Sequence, residues 1–131
     1  MGLAVSWGMN ETFGWACVLA GFLAGMLLGL RFHEEGWLGG YSSFPRRMLR
    51  LGHVALVALG LLNVVAARSL EVSHLGDTAR HVASLALIVG ALTMPATCAL
   101  VAWMPRARHA FAVPITALLL SVSLLLTGSL S

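Results

Sequence analysis

The sequence predicts an all-helical integral membrane protein, a bundle of four transmembrane helices, and three observations predict it. The 131 residues are 59% hydrophobic and 10% charged, which is more apolar surface than a soluble domain of this size can bury. The apolar residues fall into four runs of about 20 residues, the length that a helix needs to cross a bilayer. The arginines lie at the ends of these runs. We therefore predict one domain, residues 1–131, with spans at about 12–31, 48–67, 80–103 and 110–130.

The basic residues, all eight of which are arginine, predict the orientation of the bundle. The links after the first and third spans hold six of them, namely Arg31, Arg46, Arg47, Arg50, Arg106 and Arg108. The link between the second and third spans holds only Arg68 and Arg80. Because basic links stay on the cytoplasmic side, we predict that both termini lie on the outer side. The expected location is the cytoplasmic (inner) membrane of a bacterium.

Small residues recur at every fourth position along the first span. Cys17, Gly21, Gly25 and Gly29 share one face of the helix at this spacing. Lipid gives helices no hydrophobic reason to associate, so small residues that allow close backbone contact supply the attraction. The series predicts a helix-packing surface, formed either with a partner subunit or with another helix of this chain.

The second span carries the polar residues that most need an explanation. Pro45 after two serines predicts a helix start at Ser42 or Ser43. Six residues then fall on or near one face at helical spacing, namely Arg46, Arg50, His53, Gly60, Asn63 and Ala67. A polar face inside a membrane must contact protein, a cofactor or water, because lipid cannot satisfy its hydrogen bonds.

The third and fourth spans carry fewer polar groups. Pro95 predicts a bend in the third span, where hydroxyl groups can satisfy the freed carbonyls. The fourth span has Pro114 in its first turns and a thin stripe of hydroxyl groups at Thr116, Ser123 and Thr127. Such groups usually bond to their own backbone or to a neighbouring helix, so we predict a structural role for them.

Three histidines, His33, His53 and His109, are expected near the cytoplasmic ends of three different spans. Neutral imidazole is a good ligand for iron and other metals, so histidines at one depth can share a metal ion. The sharpest hypothesis is one b-type haem near the cytoplasmic side, ligated by His53 and His109. His33 is a candidate third ligand if the metal site is not a haem.

The neighbours of His53 fit the haem hypothesis. Arg46 and Arg50 precede His53 by one to two turns, and guanidinium groups there would hold the anionic propionates. Gly60 would leave room for a flat macrocycle, because a glycine allows close approach to a helix.

Three features of the sequence define a layout: the segment RRMLRLGH in the second span, the segment RARH before the fourth span, and the presence of four predicted helices. This layout resembles that of small four-helix transmembrane b-type cytochromes, in which histidines from different helices clamp haem between them. The resemblance implies an electron-carrying bundle with His53 and His109 as ligands. A second haem would need another pair on the outer side. His74 lies in a link and His81 has no partner on another span, so at most one haem is expected.

The expected function is that of a small integral membrane subunit of a larger respiratory or photosynthetic electron-transfer complex, in contact with lipid and with other membrane subunits. The alternatives are a cofactor-free scaffold and a quinone- or lipid-binding membrane protein. The sequence has no nucleophile elbow, zinc-protease motif or phosphate loop, so no enzyme is predicted from this chain alone. The net charge of +3 comes from arginines at helix ends and does not predict nucleic-acid binding.

Overall fold

The structure, a computed structural model, describes residues 4–130, with side chains from residue 8 onward. The predicted domain of residues 1–131 therefore includes residues 1–3 and 131, which lie outside the described part. Four α-helices follow one another: α1 (Ala4–Leu30), α2 (Phe44–Val72), α3 (Asp77–Trp103) and α4 (Ala112–Leu130). Two 3-10 helices, Trp37–Gly39 and Pro105–Phe111, lie in the links. All regular structure within residues 4–130 is helical, which confirms the predicted all-helical class.

Four helices of the described chain are long and apolar enough to cross a bilayer, as the sequence predicts. The qualifying segments are Gly8–Leu30, Phe44–Val72, Asp77–Trp103 and Pro105–Leu130. Each overlaps one of the predicted spans. Helix α2 is the longest, with 29 residues, and continues beyond both ends of the predicted second span.

Consecutive helices pack side by side, with α2 and α3 in the middle of the bundle. Helices α1 and α2 are antiparallel, because Gly14 lies beside Gly60 whereas Gly25, three turns further along α1, lies beside His53. The alternating course gathers the α1–α2 link and the Pro105–Phe111 helix at one end of the bundle. We call this the arginine-rich end, because it carries Arg31, Arg46, Arg47, Arg50, Arg106 and Arg108. Helix α1 begins and helix α4 ends at the other end.

Helix α2 begins with a side-chain cap where the sequence predicts one. The Ser43 side chain accepts a hydrogen bond from the Arg46 backbone N–H at 3.4 Å, and Pro45 occupies the first turn. Just before this cap, Gly39 and Gly40 have φ angles of 87° and 98°, in the left-handed region that favours glycine. The link can therefore reverse direction within a few residues.

The glycine series of α1 packs mainly against α2 of the same chain. A Cβ atom added at Gly60 would lie 2.8 Å from the Gly14 carbonyl oxygen and 2.9 Å from Cys17 Cβ. Gly21 meets Val57, whereas nothing lies within 4 Å of a Cβ added at Gly29. The series is predicted to pack either within this chain or against a partner subunit. Packing within this chain explains Gly21 but does not explain Gly29.

A buried polar cluster joins three helices near the other end of the bundle. Asn10 Nδ2 donates to Asn63 Oδ1 at 2.9 Å and to the Ser84 carbonyl at 3.3 Å, and Ser84 Oγ donates back to Asn10 Oδ1. Asn63 Nδ2 also donates to the Leu59 carbonyl at 2.9 Å. All three polar side chains are buried. Asn63 thus faces protein, one of the three surroundings that its polar face required.

The hydroxyl groups of α3 and α4 bond mainly to backbone, as predicted. Thr93 donates to the Val89 carbonyl at 2.6 Å, and Thr116 donates to the Ala112 carbonyl at 2.7 Å. Ser121 instead crosses between helices, since its Oγ donates to the Ala83 carbonyl on α3 at 2.7 Å. The bonds of Thr93 and Thr116 stay within one helix, whereas the Ser121 bond holds α4 on α3.

Candidate ligand cavity at His53

An apolar cavity of about 450 Å³ lies between α1, α2 and α3, toward the arginine-rich end. Its lining residues are Ala24, Leu27, Leu28, Arg31, Trp37, Leu49, Gly52, His53, Leu56, Pro95 and Ala99. Among these, only Arg31 and His53 carry an ionisable group. We call this space the His53 cavity. Its size and its apolar walls with few polar groups are typical of small-molecule sites.

The imidazole of His53 is held by a single hydrogen bond to the neighbouring helix. His53 Nδ1 lies 2.7 Å from the Gly21 carbonyl oxygen on α1. Because a carbonyl oxygen can only accept, Nδ1 must carry the proton and donate it. In the neutral ring Nε2 then keeps its lone pair, and it has no hydrogen-bond partner among the described residues. Metal-binding histidines are oriented in the same way, with one ring nitrogen donating to a carbonyl group.

The absence of a side chain at Gly25 leaves room for the His53 ring. A Cβ atom added at Gly25 would lie 2.5 Å from His53 Cε1 and 2.9 Å from Nε2. No side chain other than hydrogen fits there while the ring keeps its position. Two members of the predicted series therefore position His53. Gly21 accepts its hydrogen bond through the backbone carbonyl, and Gly25 leaves room for its ring because it has no side chain.

Arg46, predicted to hold a haem propionate, is turned into the protein. Its side chain is 1% exposed. Its two terminal nitrogens donate to the carbonyl groups of Arg31, Phe32 and Glu35, each at 3.4 Å. The guanidinium also lies 5.3–5.9 Å from the ring centroids of three aromatic residues of the link, Phe32, Trp37 and Tyr41. Only its Nε lacks a partner, so these donors close the end of α1 and do not line the His53 cavity.

Arg50 and Gly60, the other predicted neighbours of a haem, also lie outside the cavity lining. The Arg50 guanidinium stacks over the Tyr41 ring at 4.3 Å and donates to the Tyr41 carbonyl at 3.5 Å. The space beside Gly60 is filled by the backbone of α1 around Gly14. The cationic residue that does reach the cavity is Arg31, which also pairs with Glu34 at 3.3 Å.

The structure does not bring the three predicted metal ligands together in one cavity. His109 is exposed on the Pro105–Phe111 helix and lines a surface depression with Pro105, Arg106 and Arg108. His33 is exposed in the turn that follows α1. Within the described residues, no group of three or more His, Cys, Asp or Glu side chains is placed to share a metal ion.

Comparison of the chain with known protein families, with curated proteins and with solved structures finds no match.

The lining of the cavity suits an apolar molecule that makes one polar contact, with His53. A ligand hydroxyl group could donate to His53 Nε2, or a metal in a flat cofactor could take the same lone pair. Leu27 lines the cavity and is 61% exposed, so the apolar tail of a bound molecule could pass from the cavity to the outer surface of the bundle along this side chain. Sequence analysis identified His53 but missed the contributions of Arg31 and Trp37. Their proximity depends on how the link folds back, which no local pattern encodes.

Proposed function

We propose that this chain is a small integral membrane subunit of a respiratory or photosynthetic electron-transfer complex. Large apolar side chains cover the outer faces of the helices, such as Phe22 on α1 and Leu119 on α4, each 63% exposed. Hydrocarbon is the solvent that suits such faces. Six of eight arginines at one end support a cytoplasmic position for that end in a bacterial inner membrane, with both termini outside.

Within this role, we propose that the His53 cavity binds a quinol drawn from the membrane. The observation that carries this proposal is that His53, whose Nδ1 bonds to the Gly21 carbonyl and whose Nε2 has no hydrogen-bond partner among the described residues, lines an apolar cavity. A quinol hydroxyl would donate to that lone pair, while the apolar walls would cover the ring. Such a molecule needs only one polar contact, and the exposed Leu27 surface lets its isoprenoid tail continue into lipid.

Quinol binding to the purified chain in nanodiscs tests this proposal, with decylubiquinol as the probe. His53→Leu removes the acceptor and should weaken binding about tenfold, since one buried hydrogen bond is worth about 1–1.5 kcal/mol. His53→Gln keeps an acceptor oxygen and should recover part of the loss. His74→Leu changes an exposed histidine at the other end and should leave binding unchanged. Equal affinity of His53→Leu and the unmodified chain would contradict the proposal.

A glycine pair supplies a second, independent check on the same site. Gly25→Ala places a methyl group on the His53 ring and should weaken quinol binding several-fold without removing the histidine. Gly29→Ala, one turn further along the same helix, meets nothing within 4 Å and should bind as the unmodified chain does. If both alanine variants bind alike, His53 does not act from its observed position.

A single b-type haem is the second candidate, and the hydrogen bond from His53 Nδ1 to the Gly21 carbonyl favours it. This bond would hold the imidazole in one orientation as a ligand to the haem iron. His53 would supply one ligand, and Arg31, the arginine that lines the cavity, would hold a propionate. His109 would have to approach from another element, because it does not line the cavity.

A reduced-minus-oxidised absorption spectrum separates the two candidates. Material extracted in mild detergent with its native companions should show a haem band that His53→Ala abolishes, if the haem proposal holds. A colourless protein that binds quinol supports the first candidate, and one that binds neither supports a cofactor-free scaffold. Migration of this extract as a lone bundle of about 14 kDa would contradict the subunit role.

A further inference from the structure

One face of the first turns of α2 combines two arginines with an exposed apolar strip. Arg47, Met48, Arg50, Leu51 and Val54 line a surface depression of about 550 Å³, which we call the α2 arginine face. It shares no residue with the His53 cavity. The arginines lie at the start of the helix, and the apolar residues lie about one turn deeper. Leu51 is 48% exposed and Val54 is 56% exposed.

The two arginines of this face have no carboxylate partner among the described residues. Ion pairs between described residues include those of Arg31 with Glu34 and of Arg68 with Glu71. Arg50 is nevertheless fixed in position by the Tyr41 ring and carbonyl, at 4.3 Å and 3.5 Å. Arg47 is exposed next to it. A fixed guanidinium and an exposed one, both without a carboxylate partner, form a site that complements a phosphate group.

We propose that the α2 arginine face binds one anionic phospholipid. Arg47 and Arg50 hold the phosphate of the headgroup, and Leu51 and Val54 contact the first part of an acyl chain. The order of charge and then exposed aliphatic groups along the helix matches the order of headgroup and chain in a lipid. The depression at Arg106 and Arg108 lacks such an apolar continuation, since it is lined otherwise by Pro105 and His109. This inference rests on the proposed membrane location but not on quinol or haem binding.

Native mass spectrometry of the full chain in detergent tests the proposal, with four probes. These are long-chain phosphatidylglycerol, long-chain phosphatidylcholine, dihexanoyl phosphatidylglycerol and inorganic phosphate. The unmodified chain should bind one long-chain phosphatidylglycerol more tightly than any of the other three. Arg47→Gln with Arg50→Gln should weaken that binding about 25-fold, since each basic residue near an anionic surface contributes about 1 kcal/mol.

Matched variants decide whether the site is specific. Arg106→Gln with Arg108→Gln removes the same charge from the same end and should change binding less than threefold, because these arginines line a different depression and electrostatic attraction falls off with distance. Arg47→Lys with Arg50→Lys keeps the charge and should retain most of the affinity, which guards against misfolding of the glutamine variant. Equal losses from both glutamine pairs, or equal binding of phosphatidylcholine or inorganic phosphate, would overturn the proposal.

Two further measurements distinguish a failure of the lipid-site proposal from a failure of the quinol or membrane-location proposals. His53→Leu should leave lipid binding unchanged, so a failure of quinol binding does not affect the α2 arginine face. If phosphatidylglycerol shows no preference while the chain still resists extraction from membranes by alkaline carbonate, only the lipid site fails. Release by carbonate would instead remove the membrane location on which the site depends.

Discussion

Replacing Arg46 with leucine should destabilise the bundle by about 3 kcal/mol, the larger of two effects that the structure predicts on folding. Arg46 donates to three carbonyl groups at the end of α1 and in the link, and it is 1% exposed. Leucine leaves the carbonyl groups of Phe32 and Glu35 without this donor, at a cost of about 1 kcal/mol for each, whereas the Arg31 carbonyl keeps the bond from the Glu34 N–H at 3.2 Å. The contacts between the guanidinium and three aromatic rings are lost as well.

Equilibrium unfolding in detergent micelles with a rising fraction of sodium dodecyl sulfate measures this loss. Arg106→Leu is the matched control, because Arg106 is exposed at the same end, and its free energy of unfolding should stay within about 0.5 kcal/mol. The opened link should also be cut faster by protease near Gly39 and Gly40 in Arg46→Leu. A decrease of less than about 1 kcal/mol in the free energy of unfolding would contradict the prediction. It would mean that the desolvation of the Arg46 charge nearly cancels the stabilisation from its contacts.

The helices of this fold follow from sequence because hydropathy and helix-start signals are local properties. Four apolar runs predict four long helices, and serines before Pro45 predict the cap that Ser43 forms. No local property distinguishes Arg46 from Arg47, which are adjacent and chemically identical. Arg46 is buried and Arg47 is exposed, because the link folds its aromatic rings and carbonyl groups over one side of α2 only.

The candidate site was predictable in part for the same reason. His53 is conspicuous as a polar residue within an apolar run, and the α1 glycines are conspicuous by their spacing. That Gly21 and Gly25 serve His53 depends on the register between α1 and α2, which one sequence does not reveal. Asn10 illustrates the limit, because it precedes the predicted first span and its partners lie 53 and 74 residues away. The haem ligation and the orientation in the membrane stay predictions.

The second large effect should come from Gly60→Ala, which is expected to reduce the free energy of unfolding by about 2–3 kcal/mol. Alanine is favoured over glycine within a helix by up to about 1 kcal/mol, so a surface site would gain stability. At Gly60 the new methyl group would lie 2.8 Å from the Gly14 carbonyl oxygen and 3.0 Å from the Val18 nitrogen. Both are backbone atoms, which cannot rotate away as a flexible side chain can, so α1 itself must move.

Movement of α1 makes the effect of Gly60→Ala more than a local one. A shift of α1 away from α2 lengthens the bond that His53 donates to the Gly21 carbonyl and weakens the Asn10–Asn63 bond, because all of these groups lie at the same interface. Gly60→Ala should therefore lower both stability and quinol binding, whereas Gly25→Ala should lower binding most. Gly8→Ala is the control, because a Cβ there meets nothing within 4 Å. Its stability should be unchanged or slightly higher, and an equal loss in both variants would show that α1 does not pack closely on α2 at Gly60.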